Sequence, residues 1–457
     1  MRFGHLFLAS AALAAVVTLD ARDAQACGGC FPPPGEAQSV VTDHRMVLTV
    51  SQQQTTLYDQ IRYSGNPSSF AWVLPIAGTV TVGLSADTVF QGLENLTQTT
   101  VQAPPTGCPG PTNCDYEAAT ASDARGSAGS SSGGGVDVLK QETVGPYATV
   151  QLRSTDPQAL DNWLTTNGFA IPDDVKPVIA AYVGEKFDFL ALKLLPGKGV
   201  AAMRPVRVTT SGATAVLPLR MVAAGTGANV GVALWVVGEG RYEPQNFPFF
   251  SIRSEDLTWD WATNTSDYKE LRAAKTVELA GKGWEIESSI DIDRTQFESI
   301  VQRVGSVNPQ AGSDYAPIEE NGQVVKSADQ VRREDMQAFF SGLDGRVRVT
   351  RTRADLAKAA LASDLVLIAS GDQSPLSNIR QPKLQKGQPT CTVYSGCTAV
   401  GTAPRDEAVA RSGGGTESFS CKTAPKQQTG MASLATVGGL AALVALVFVR
   451  NRRRDRR

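Results

Sequence analysis

WEIESSIDIDRTQFE, Trp284–Glu298, shows in one run both kinds of element that the chain uses. Trp284, Ile286, Ser288, Ile290 and Ile292 alternate with Glu285, Glu287, Ser289, Asp291 and Asp293, the period of two that turns successive side chains to opposite faces of a strand. Thr295 and Glu298 then have the spacing of a capping box, in which a hydroxyl and a carboxylate satisfy the orphan amides of a helix start. Clean alternation is the mark of an antiparallel strand with one wet face, so the acidic positions read as solvated. The stretch predicts an α+β fold, predominantly antiparallel β with several helices.

The flanking sequence repeats the pattern. Upstream, RMVLTVS, TTLYDQIRY and FAWVLPIAG read as strands, with Gly65, Asn66 and Pro67 as a turn, and a helix is expected over Ala86 to Leu96. Further strands are expected at Phe187 to Leu195, Val206 to Thr210, Thr214 to Ala223 and Val230 to Val237. A helix is punctuated by Asp156 at its N-cap, Pro157 at its first position and Asn167-Gly168 at its end, with Leu160, Trp163 and Leu164 on one face. Downstream, DQVRREDMQAFFSGL reads as helix, and RVRVTRTR and DLVLIAS as strands around a short helix. All six Trp lie between Trp72 and Trp284, which places the best-packed region there.

The ends carry an address. Leu6 to Leu19 is apolar and Ala24-Gln25-Ala26 has the form of a secretory cleavage site. Met431 to Val449 is an uncharged apolar run long enough to cross a bilayer as a helix. RNRRRDRR follows, a cytoplasmic tail by the positive-inside tendency. The expected divisions are a signal peptide (1–26), a β-rich part (27–102), a flexible Cys-containing insertion rich in Gly, Ser and Pro (103–135), a main α+β part (136–370), a low-complexity stalk (371–430), a transmembrane helix (431–449) and the basic tail (450–457). Formal charge is −2, and because the tail holds six Arg against one Asp, the rest of the chain is net acidic. With no basic run interleaved with aromatics, that balance argues against a nucleic-acid partner.

Together ACGGCF, IRYSG, FAWVLPIAG, VGPYATVQLRSTDPQALDNWLTTNGFAIP, FDFLALKLLPG, LPLRMVAA and RVTRTRADL resemble the bacterial exported family catalogued as domain of unknown function 2330, over roughly Cys27 to Ser370. The resemblance implies an exported envelope protein and supplies no catalytic residue. The C-terminus, with Cys421, one apolar helix and an Arg-rich end, is similar to the myxobacterial-type C-terminal sorting signal. That similarity implies processing or modification at Cys421 by a sorting protease.

Seven cysteines in an exported chain read as disulfides before metals. The expectation is local pairing of Cys27 with Cys30, Cys108 with Cys114 and Cys391 with Cys397, leaving Cys421 apart. FPPPG after CGGC cannot open the helix a redox pair needs. A zinc site lacks a second ligand pair. A staple is the reading kept for Cys27 and Cys30, with lipidation of Cys27 as the alternative. His44, the one His after the leader, reads as a surface residue, so His-based triads are not expected. GTGANVG lacks a following helix and reads as a loop between strands. No cofactor or metal is expected. The chain thus reads as a non-enzymatic, membrane-anchored envelope protein whose partner is another envelope protein or a polysaccharide. The rival reading is a carbohydrate-binding module or hydrolase using Glu285, Asp291, Trp259 and Trp261.

Overall fold

A computed structural model describes residues 40–64, 71–111, 141–153, 157–166, 175–196, 202–223, 228–307, 314–320 and 323–412, with Asp173 and Lys198. The leader, Cys27, Cys30, Cys114, Cys421, the apolar segment 431–449 and the basic tail lie outside the described residues. Among those described, no helix is long and apolar enough to cross a membrane.

In chain order, β1 (Val40–Val50), β2 (Gln54–Ser64), β3 (Ala71–Ile76) and β4 (Thr81–Leu84) lead into helix α1 (Asp87–Thr97) and β5 (Thr100–Val101). Next come β6 (Gln141–Val144), β7 (Tyr147–Leu152), α2 (Pro157–Thr166), α3 (Lys176–Gly184), β8 (Asp188–Leu194), β9 (Val206–Ser211), β10 (Val216–Leu217) and the short helix α4 (Leu219–Val222). β11 (Asn229–Gly238), β12 (Tyr242–Pro244), β13 (Phe249–Phe250), β14 (Thr258–Asp260) and β15 (Thr265–Ser266) precede α5 (Tyr268–Glu278), β16 (Trp284–Asp293) and α6 (Arg294–Val307). β17 (Ile318–Glu320), β18 (Gln323–Lys326), α7 (Ala328–Phe339), β19 (Arg346–Ala357) and β20 (Leu365–Ala369) come after α6. β21 (Ile379–Arg380), β22 (Leu384–Lys386), β23 (Thr390–Ser395), β24 (Thr398–Pro404) and α8 (Arg405–Ser412) complete the described chain.

The main sheet has eight strands in the order β13-β16-β19-β11-β1-β2-β9-β4. Its pairs are antiparallel except β1 with β11 and β13 with β16. One face packs on a second, four-stranded antiparallel sheet, β3-β8-β7-β6. Met46, Leu48, Val232, Leu234 and Trp284 from the first sheet meet Trp72, Leu74, Leu190 and Leu192 from the second in one core. The opposite face of the main sheet buries Val47, Tyr58, Trp235 and Val349 under Phe90 and Leu93 of α1, Phe297 of α6 and Phe339 of α7. Behind the second sheet, Val73, Phe189 and Ala191 pack on Ile179, Tyr182 and Val183 of α3. The layers are therefore helix, sheet, sheet, helix, an α+β arrangement with a large, mostly antiparallel sheet.

Several expectations need correction. In β16 the pairing with β19 shifts between Ile286 and Ser288, so Glu287 is the extra residue of a β-bulge. A bulge inverts the side-chain phase of the strand residues beyond it. Trp284 consequently enters the inter-sheet core, whereas Ile290 and Ile292 enter the helix-side core. Because β16 lies between β13 and β19 and is covered on both sides, Glu285 and Glu287 are 0% and 3% exposed, not solvated. The start of α6 is capped by Asp293, whose Oδ1 accepts from the amides of Thr295 (2.9 Å) and Gln296 (3.3 Å), while Glu298 bonds Arg294 (2.8 Å). His44 is 1% exposed: it shares the inward parity of Met46 and Leu48 on β1, and its Nδ1 lies 3.1 Å from Asp59 Oδ1. Of Thr214 to Ala223 only Val216–Leu217 is strand, since Pro218 turns the chain into α4.

Residues 371–412 are not stalk. β21 pairs with β5, β22 with β14, and β23 with β24. Arg380 is buried and donates to the carbonyls of Ile252 (2.7 Å), Glu287 (2.7 Å) and Ser377. Nor do Cys108 and Cys391 pair locally as expected. Cys108, on the described part of the expected insertion, bonds Cys391 across 283 residues, and Cys397 is engaged in a disulfide of its own. Cys391, Val393, Ala403 and Ala408 are the only buried apolar residues of the small cluster formed by β23, β24 and α8, too few to hold it in place unaided.

Peptide mapping of the unreduced protein is expected to yield a fragment joining Cys108 to Cys391. The equal offsets of Cys114 from Cys108 and of Cys397 from Cys391 make Cys114 the expected partner of Cys397. A fragment closed within 391–397 would overturn both pairings. Cys391→Ser should release the 389–412 segment to proteolysis and cost about 2–4 kcal/mol.

Candidate functional site

On the helix side of the main sheet, the parity that is apolar at one end becomes charged at the other. In β19 the sequence RVRVTRTRAD places Val347, Val349, Arg351, Arg353 and Asp355 on one face. Pairing aligns these residues with short and charged neighbours. Arg353 stands between Glu285 of β16 and Ala233 of β11, and Ala233 stands beside Arg45 of β1. In the next row Arg351 lies between Ser288 and Trp235. In the row beyond Arg353, Asp355 pairs with Gly231, and Gly231 with Asp43. With only Gly231 and Ala233 on β11 there, the sheet leaves room beneath α1 for a cleft of about 480 Å³.

Helix α1 forms the wall, presenting Gln91, Glu94 and Asn95 at helical spacing to the cleft, with Gln98 following at its C-cap. Glu94 bridges two guanidiniums, accepting from Arg351 Nη2 at 2.8 Å and Arg45 Nη2 at 3.4 Å. Arg45 also donates to Gln60 Oε1 and to the Phe90 carbonyl, both at 3.1 Å. Both arginines lie over the Trp235 ring, at 5.7 Å for Arg45 and 5.2 Å for Arg351, close enough for a cation–π attraction. Arg351, 3% exposed, also forms an ion pair with Glu287, yet its Nη1 has no acceptor.

Next to the cleft, α5 covers Glu285. Tyr268 donates to its Oε1 at 2.8 Å, and Arg272 reaches its Oε2 at 3.1 Å and Asp355 at 2.7 Å. Burial, followed by the negative charge of Glu287, raises the Glu285 pKa to about 7 against the pull of Tyr268, Arg272 and Arg380. Burial, followed by Glu285, raises Tyr268, and burial lowers Arg380. Two carboxylates one residue apart in the strand are thus grouped, but each is engaged by arginine and shielded from water.

The residues of the rival reading are not brought together. Asp291 is 37% exposed and bonds Arg348 on the far side of the bulge. Trp259 and Trp261 are buried edge to face against each other, their ring centroids 6.0 Å apart, and the Trp261 indole donates to Gln385. They offer no open sugar platform. Sequence patterning alone does not point to Arg45, Glu94, Arg351 or Arg353. The repeated arginine of RVRVTRTR is the available sign, since charge on both parities of a strand so rich in Val needs partners on at least one face. Among the described residues no three His, Cys, Asp or Glu side chains are placed to hold a metal ion. A groove of about 740 Å³ opens between α6 and α7, where Arg294 and Arg332 are already paired with Glu298 and Asp329.

A family model described as an uncharacterized protein conserved in bacteria, DUF2330, matches residues 21–342. No curated protein and no solved structure matches the chain. The match stops short of β19, although β19 is an interior strand of the main sheet.

An acid whose pKa rises on folding holds its proton more tightly in the native state, so stability falls as pH rises from the unfolded value, 4.5, to about 7. A shift of that size corresponds to about 3 kcal/mol. Glu285→Gln removes this titration, so the variant should gain on wild type by about that amount between pH 4 and pH 8 in urea unfolding. A difference that stays constant with pH would mean that Arg272 keeps Glu285 ionised throughout.

Proposed function

The chain belongs to the bacterial DUF2330 family, and on that premise we propose that it acts outside the cytoplasm as a non-enzymatic interaction protein of the cell envelope, held by its C-terminal apolar helix. The observation that carries the reading is the Cys108–Cys391 bridge. A disulfide that ties together segments so far apart in the chain persists in an oxidising compartment and not against a reducing cytosol. The leader-like start, the apolar run 431–449 and the arginine tail agree with that address. Cys421, which precedes the apolar run 431–449 in the sequence, is the position where a sorting protease would act. A structural or binding role is consistent with the chemistry of the core: its grouped carboxylates are neutralised by arginines, and its paired tryptophans are packed inward. The partner on this reading is an envelope protein or polysaccharide.

Fractionation of a bacterial host expressing the full chain should place it with membranes, with its folded part cleaved by protease added to spheroplasts. Alkylation in intact cells should leave Cys108 and Cys391 unmodified until a reductant is added. Recovery in the soluble cytosol with both thiols alkylated would reject the proposal.

A further inference from the structure

The cleft beneath α1 has the size of a small-molecule site and a charge distribution that selects for one kind of ligand. Arg45, Arg351 and Arg353 face Asp43 and Glu94 around it, and Glu94 and Glu287 balance Arg45 and Arg351. The cation open to a ligand is Arg353. It is exposed at the mouth, and among the described residues it makes no ion pair, because its cross-strand neighbour Glu285 is engaged by Tyr268 and Arg272. Below it Arg351 lines the floor with Nη1 unsatisfied, and a buried guanidinium nitrogen without an acceptor is costly. Glu94 already shows what the floor accepts, since its carboxylate bridges Arg45 and Arg351 from the wall of the same cleft.

We propose that this cleft binds a small hydroxylated carboxylate, with the carboxylate on the exposed guanidinium of Arg353 above the floor that Arg351 forms, and the hydroxyls on the amides of Gln91, Asn95 and Gln98. A planar guanidinium fork matches a carboxylate in two parallel hydrogen bonds. A dianion such as phosphate is disfavoured, because Asp43 and Asp355 flank Gly231 at the far edge and Arg45 and Arg351 are already paired with carboxylates. Side-chain amides both donate and accept, which suits hydroxyl groups. An apolar ligand finds no open aromatic surface among the lining residues, since Trp235 lies fully buried beneath the arginines. The proposal does not depend on where the protein resides, and it holds or fails separately from the envelope assignment.

Calorimetric titration of the purified full chain in detergent with D-glucuronate, D-glucose and inorganic phosphate tests it. Saturable glucuronate binding in the millimolar range or tighter is expected, with glucose and phosphate at least tenfold weaker. Arg353→Ala, at an exposed position, should keep the melting temperature of the wild type and weaken glucuronate at least tenfold, while Arg353→Lys should recover only part of the loss. Binding of phosphate or glucose as tight as that of glucuronate would overturn the ligand class. Absence of saturation, or equal binding by Arg353→Ala, would overturn the site.

Discussion

One unpaired residue, Glu287, fixes how the two halves of β16 divide between two cores. Without the bulge, Trp284 and Ile292 would share a face, and one of them would point a large apolar side chain into the wrong layer. The inserted residue leaves its carbonyl outside the regular ladder, and a buried carbonyl without a donor is expensive. Arg380 supplies the donor at 2.7 Å, and the same guanidinium also reaches the carbonyls of Ile252 and Ser377. The bulge therefore requires the C-terminal segment to fold back over it. Ser289 and Leu376 then exchange two backbone hydrogen bonds at 2.8 Å, extending the contact by one further step.

The buried charges on the helix side of the sheet divide into a closed set and an open one. Asp335 of α7, wholly buried, accepts from Ser85 Oγ at 2.6 Å, Tyr315 at 2.7 Å and Arg207 Nη1 at 3.0 Å. Burial raises its pKa while Arg207 and the two hydroxyls oppose that rise. Such a knot fixes one helix on one strand and has no open acceptor position for a ligand to use. The arginines over Trp235 differ, because they share Glu94 and Glu287 yet leave one nitrogen of Arg351 unsatisfied beside an open cleft. Buried ion pairs seldom add much net stability, since desolvation offsets the Coulomb gain. Geometry is what they can fix, and here they set the height of α1 above the sheet.

Much of the strand content is legible in the sequence because parity and β-branched content are local properties. Val230 to Val237 and Phe187 to Leu195 lie within a residue or two of β11 and β8, and DQVRREDMQAFFSGL covers nearly all of α7. The features that escape a reading of the sequence are non-local. Alternation in Trp284 to Asp293 looks unbroken in sequence, since a bulge is defined by its partner strand and not by its own residues. His44 reads as exposed because a polar residue near a strand end usually is, and its partner Asp59 lies on the next strand. The short spacings 108–114 and 391–397 suggest local bridges, whereas the disulfide links segments that only the tertiary fold brings together. The cleft is hidden for the same reason, as its arginines, its small residues and its helical wall come from β1, β11, β19 and α1.

The order of strands also constrains how the fold is completed. β19 enters between β16 and β11, so neither of those strands has its neighbour on that side until residues 346–357 are in place. An interior position filled late makes the sheet depend on contacts of high sequence separation, which raises the entropic cost of reaching them. The segment beyond β20 then fastens the sheet that β19 has closed. β21 pairs with β5 just beyond α1, β22 pairs with β14, Arg380 satisfies the bulge, and Cys391 bonds Cys108. Each of these contacts joins residues beyond 370 to residues before 290. A fragment ending at residue 342 would therefore lack both the strand that completes the main sheet and the strap that holds it, so the stable unit extends through the 389–412 hairpin and helix.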